Sequence, residues 1–233
     1  MTNPRENSNP ATRIAIIAAL PGELAPLVRG WKKTGKNVWT GSIGEHPCIA
    51  IAGGMGAASA NRAVALAQSQ FQPQVLVSYG WAGALTCGLK PGMATAISEV
   101  VDHQSGNRFE TGSDSRARLL TLNRVARGPE KRKLAERHQA SLVDMEAAAV
   151  ARLARQHRLG FLCFKGISDG YTDKLPNFGR FITWEGELRT TLLLGYIALQ
   201  PQFWGSLVRL GRYSRKAAVA LAELTRAELA KSL

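Results

Sequence analysis

Short apolar runs punctuate this chain, and each closes on small or polar residues. "RIAIIAAL" (Arg13 to Leu20) ends at Pro21-Gly22 and reads as a buried strand. "ELAPLVRGW" then reads as helical, and "NVWTGSIGEHPCIAIAGG" as two strands around a glycine turn. "AASANRAVALAQSQF" predicts a helix, and "PQVLVSYGWAG" (Pro73 to Gly83) another buried strand. "MATAISEVVDH" is strand-like, "SGNRFETGSDSRAR" loop-like, and "LLTLNRVA" strand again. "PEKRKLAERHQ" predicts a charged helix, with Pro129 near its first turn. "SLVDM" is strand-like, "EAAAVARLARQHR" a helix, and "GFLCFKGISDG" (Gly160 to Gly170) a strand with a polar end. C-terminal helices begin near Gly186.

Near-continuous apolar strands alternating with helices predict an α/β fold. Its sheet should be mostly parallel and covered on both faces. In such sheets function gathers where strands end. No internal repeat, low-complexity tract or early domain boundary interrupts the pattern. The chain divides into a disordered tail at residues 1–12, one domain at 13–200 and a basic amphipathic helical extension at 201–233.

Composition narrows the classes. The 233 residues, 45% hydrophobic, suit one larger α/β domain. No run of about 18 apolar residues predicts a spanning helix, and the polar N-terminus lacks the core of a signal peptide. Cys48, Cys87 and Cys163 lie far apart, as buried thiols of a cytosolic protein would. The four histidines make no metal-ligand spacing. The net charge of +13 favours anionic partners without choosing among them, and a solvated positive surface accounts for it equally well. No helix-turn-helix or aromatic-rich ribonucleoprotein motif points to nucleic acid.

Five strand ends carry unusual residues: Glu23 after the first strand, "AGGMGAASA", "SYGWAGAL", "VDMEAAAV" and "KGISDG". Singly, each has an ordinary reading. Gly54, Met55 and Gly56 before a helix could bind an anion through backbone N–H groups, or could form a tight turn. Asp169 could cap a helix, Glu23 could be a surface acid, and Asp144 could pair with a helix dipole. The glycines match neither a Walker loop nor a dinucleotide fingerprint.

Taken together and in order, "IIAALPGE", "GGMGAASA", "GWAGAL", "VDMEAAAVA" and "ISDG" resemble the nucleoside phosphorylase and methylthioadenosine/S-adenosylhomocysteine nucleosidase superfamily, over roughly Arg13 to Asp173. The resemblance implies a single-domain three-layer sandwich around a distorted, mostly parallel sheet, followed by C-terminal helices. It also implies a homodimer or larger homo-oligomer and no cofactor. By position, Asp169 becomes the general acid at purine N7, held by Ser168. Glu146 becomes the acceptor for the ribose 2′- and 3′-hydroxyls, with Met145 packed on the sugar. Glu23 becomes the acid that positions water, and Ala82 and Gly83 line the purine side.

The chemistry asks for these types. A purine anion leaves poorly, so N7 must be protonated. The sugar becomes cationic, which nearby carboxylates favour. An acid in that role must hold a proton near neutral pH, which burial favours.

Two places depart from the family pattern. Ser78 and Trp81 stand where the phosphorylases hold phosphate with arginine and serine, which favours water as nucleophile; Arg29, Arg62 or a partner subunit remain candidate sources of positive charge. Where nucleosidases carry a phenylalanine that stacks on adenine, Asn123, Arg124 or Val125 stands here. The middle segment and tail most resemble the hopanoid-associated phosphorylase branch, implied to remove adenine from an adenosyl lipid. Phe203, Trp204, Leu207, Val208 and Leu210 interleave with Arg209, Arg212, Arg215 and Lys216. Such a helix could lie on the inner membrane face or pack on the domain. The expected function is hydrolysis of a purine nucleoside in the cytoplasm. The alternatives are phosphorolysis, with inorganic phosphate as co-substrate, and nucleoside binding without turnover.

Overall fold

A computed structural model describes residues 11–126, 128–173 and 204–231 of the chain. The segment at 174–203, and with it the predicted start of the C-terminal helices, lies outside the described residues, as does most of the N-terminal tail.

Among the described residues eleven strands form one sheet. Its centre is β1 (Ile14–Ala18), flanked by β4 (His46–Ala52) and β5 (Val75–Ala84), both parallel to it. β2 (Lys32–Gly35) and β3 (Val38–Ile43) extend the sheet antiparallel beyond β4. β6 (Ala94–Ala96) pairs antiparallel with β11 (Gly160–Asp169), which runs parallel along β5. On its other side β5 meets β10 (Leu142–Asp144), then β9 (Arg118–Thr121), β7 (Glu99–Asp102) and β8 (Arg108–Glu110). The sheet is therefore mixed, with a parallel centre.

β1 shows why the chain layers as it does. All five of its residues are buried, and side chains alternate between faces. Ile14, Ile16 and Ala18 join a core with Leu24, Leu27, Leu221 and Leu229. Ala15 and Ile17 join a second core on the opposite face. There they meet α2 (Ala57–Phe71), through Ala60, Ala63 and Val64, and α4 (Ala147–His157), through Ala149, Val150 and Ala154. Alanine and valine let the two helices approach the strands closely. The expected three-layer sandwich is present.

β5 divides along one edge. Val75 to Ser78 pair with β1, Gly83 and Ala84 pair with β10, and Gly80 between them has φ +149°. The strands part there.

Several expectations need correction. "ELAPLVRGW" holds only the last two residues of a four-residue helix, α1 (Pro21–Leu24). "MATAISEVVDH" breaks into β6 and β7, and the segment read as loop contains β8. The strand in "LLTLNRVA" stops at Thr121, and Cys87 is exposed rather than buried. The charged helix is α3 (Gly128–His138). The last helix, α5 (Trp204–Leu229), buries Ala217, Ala218, Leu221, Ala222, Thr225 and Leu229. It packs on β11, β6 and α1 and completes the first core. No described helix is long and apolar enough to cross a membrane.

Candidate active site

β1 delivers Glu23. The strand ends at Ala18, and Pro21 opens α1, turning the chain back over the sheet. Oε2 of Glu23 accepts the N–H groups of Ala19 (2.9 Å) and Leu20 (2.8 Å). Oε1 accepts the N–H of Trp81 at 2.8 Å, on the edge where β5 has parted from β1. A Cβ at Gly80 would lie 2.7 Å from Oε1, so only glycine admits the carboxylate. Burial raises the pKa of Glu23; three backbone N–H groups and the Lys165 charge oppose it.

β10 delivers Asp144 and Glu146, which separate in role. Asp144 accepts Thr121 Oγ1–H at 2.7 Å and the Ala147 N–H at 3.0 Å, and pairs with Lys165 Nζ at 2.9 Å. Asp144 and Lys165 are both buried, so each charge has its partner. Burial disfavours the Lys165 ammonium, but Asp144, Cys163 and Glu146 together outweigh that and raise its pKa. Lys165 also donates to Ser78 Oγ at 3.2 Å.

Glu146 faces the cavity. Its Oε1 accepts the Gly56 N–H at 2.5 Å, and its Oε2 the Met145 N–H at 3.2 Å. Desolvation, then the charge of Asp144, push its pKa up to about 7. The glycine loop read as an anion site thus spends its Gly56 N–H on an internal carboxylate, and its Gly54 N–H on the Ala19 carbonyl at 2.9 Å.

β11 delivers Ser168 and Asp169 through a bulge that shifts register between Ile167 and Asp169. Ser168 Oγ–H donates to Asp169 Oδ1 at 2.7 Å. Oδ2 lies 2.7 Å from Lys131 Nζ, which also donates to the Gly170 carbonyl at 2.8 Å. Both members of this ion pair are buried.

These groups surround one cavity of about 250 Å³. Glu23, Glu146, Asp169, Ser168, Met145 and Met55 line it. So do Trp81, Ala82 and Gly83 of β5 and, on another wall, Arg124, Val125 and Ala126. Arg124 is held by both oxygens of Glu130. Leu210 and Ser214 of α5 line it as well, and the Trp81 indole N–H donates to the Ser214 carbonyl at 3.0 Å. Of the predicted site residues, Gly54 and Gly56 do not line this cavity.

Sequence reasoning missed Lys131, Leu210 and Ser214. Lys131 sits in the run "EKRKL", which looks solvated. The one available signal is its spacing of three from Leu134, which puts both on the buried face of α3. Among the described residues no group of three histidine, cysteine or acidic side chains could hold a metal ion.

A family model described as the phosphorylase superfamily matches residues 13–126 and 109–198. Among solved structures, the chain is similar to a 5′-methylthioadenosine/S-adenosylhomocysteine nucleosidase from S. pneumoniae, solved with a transition-state inhibitor. The identity is 20%, covering 93% of this chain and 98% of that one, with a TM-score of 0.70. The futalosine hydrolase of Helicobacter pylori superposes with a TM-score of 0.71 at 15% identity, covering 95% and 98%. A 5′-methylthioadenosine/S-adenosylhomocysteine nucleosidase from Neisseria meningitidis, in complex with methylthio-immucillin-A, does so with a TM-score of 0.69 at 18% identity, covering 95% and 100%.

Proposed function

Because the chain belongs to the phosphorylase superfamily, we propose that it hydrolyses the N-glycosidic bond of a purine nucleoside. The observation that carries this reading is the convergence of Glu23, Glu146 and Asp169 on one cavity where, among the described residues, each lining cation is paired with a carboxylate. Lys165, the buried cation beside Ser78, is neutralised by Asp144. Lys131 is engaged by Asp169, and Arg124 by Glu130. Arg29 and Arg62 are exposed, and neither lines the cavity. A phosphate dianion would enter among carboxylates, whereas water would meet an acceptor in Glu23.

In this reading the base lies against Gly83, Val125 and Asp169, and N7 takes its proton from the Asp169 end. Glu146 accepts hydrogen bonds from the ribose diol, with Met145 against the sugar. Breaking C1′–N9 leaves positive charge on the sugar, which Glu146 and Glu23 favour electrostatically. Glu23 orients the water that attacks C1′. Val125 in place of an aromatic ring holds the base by apolar contact rather than by stacking.

The test is base release from methylthioadenosine, S-adenosylhomocysteine, adenosine and inosine, with and without phosphate. Release at equal rates in both supports hydrolysis. Strict dependence on phosphate overturns it, and binding without release identifies a sensor instead.

A further inference from the structure

We propose that Lys131 is a positioning residue for the leaving base, and that the proton delivered to N7 is stored on the Asp169–Lys131 pair rather than on Asp169 alone. The proposal rests on the nucleoside-cleavage reading above.

Three observations carry it. Lys131 is 1% exposed, whereas Arg132, Lys133, Glu136 and Arg137 on the same helix are exposed. Packing alone would be met by an apolar residue there, as it is at Leu134. Second, an ammonium has three N–H donors. Asp169 Oδ2 and the Gly170 carbonyl take two, and the side chain borders the cavity. Third, Asp169 cannot swing away from this partner. Its Oδ1 accepts the Ser168 hydroxyl, and the backbone of Gly83 lies directly against the carboxylate.

Nζ and Oδ2 lie 2.7 Å apart as an ion pair. Substrate excludes water from the cavity, and two buried charges become more costly. Moving one proton from Nζ to Oδ2 makes a neutral amine and a neutral acid, the latter facing N7. When C1′–N9 breaks, its electron pair stays with the purine, and N7 takes the proton of Asp169. The water oxygen bonds C1′, and its proton leaves by way of Glu23. Asp169 is again a carboxylate, and Lys131 recovers its proton from solvent once the base departs. Lysine suits this role because its ammonium gives up a proton when buried, whereas a guanidinium does not.

Lys131→Met and Lys131→Arg test the proposal on two substrates: a purine nucleoside the enzyme turns over, and its N7-methyl counterpart, already cationic and needing no proton. In Lys131→Met the N7-methyl to unmethylated turnover ratio should rise about 100-fold, the scale of general-acid catalysis. Lys131→Arg keeps the charge but cannot lend a proton, so the same rise is expected. Circular dichroism establishes that each variant folds; if the methionine variant does not, the arginine variant decides. Equal loss on both substrates, or full activity in Lys131→Arg, overturns the proposal while leaving the hydrolase reading intact. If the wild-type protein releases base from neither substrate, the hydrolase reading falls and the proposal with it.

Discussion

A Cβ on Gly83 would stand 2.9 Å from Asp169 Oδ2, so the glycine of one strand makes room for the acid of its neighbour. The two strands run parallel, and the register shift between Ile167 and Asp169 sets Asp169 opposite Gly83. Gly83→Ala must displace the carboxylate, because Ser168 and Lys131 hold it from the other sides. We expect turnover to fall by about 100-fold, the scale of a lost proton donor. Thermal denaturation should shift by only a few degrees. Full activity in this variant would show that Asp169 need not be fixed for catalysis.

Glu146 predicts opposite pH responses of stability and activity. Its pKa is raised to about 7 by burial and by the charge of Asp144. The folded state therefore binds a proton more tightly than the unfolded chain, whose glutamate titrates near 4.3. The stability this confers is complete below about pH 4 and is lost as pH rises through about 7. Activity runs the other way, since the proposed role of Glu146 as acceptor for the ribose diol calls for the ionised form. kcat/KM should rise with pH to a plateau above about 7. Glu146→Gln should raise the Tm at pH 8 and abolish turnover. A wild-type rate that is flat from pH 5 to 8 would argue against the assigned role.

Lys165 and Asp144 are buried together at 2.9 Å. Lys165→Met leaves a buried carboxylate without its cation, at a cost of about 3–5 kcal/mol. Asp144→Asn combined with Lys165→Met should recover part of this, because neither charge remains. Chemical denaturation of the wild type, both single variants and the double variant gives the coupling directly. Strict additivity would mean the pair contributes nothing to the fold.

The last helix separates two views of the C-terminus. Leu221 and Leu229 are fully buried in the first core, and burying each contributes about 1.5–3 kcal/mol. Ending the chain at residue 203 should therefore remove about 3–6 kcal/mol from these two alone, a large share of a typical domain's 5–15 kcal/mol, and leave aggregated protein. Val208, 72% exposed on the first turns, is a different case. Val208→Asp should leave the Tm within about a degree, as an exposed substitution does. A truncated chain that stays folded would restore the view of an appended extension.

Much of the fold was legible in one dimension. β1, α2, β5, α4 and β11 follow from local pattern, because a strand buried on both faces must be apolar throughout and a helix between layers must be small on its packed faces. Glu23, Glu146 and Asp169 stood out because acids at the ends of such strands are unusual. The short edge strand β8 escaped notice: only Phe109 of its three residues is buried, so no periodicity marks it.

The sequence by itself determined a sheet covered on both faces and the acids at the ends of its central strands. It also set Asp144 at the end of a strand and Glu146 at the start of a helix. Only the tertiary structure decided what each charge faces. Lys131 and Lys165 look alike in sequence to any exposed lysine, yet one lies against Asp169 and the other against Asp144. Their partners are 38 and 21 residues away. Whether a charge is solvated or paired depends on what the fold brings within about 4 Å, and no local pattern encodes that distance. The same holds for the glycine loop, whose N–H groups look free until Glu146 arrives from 90 residues further along.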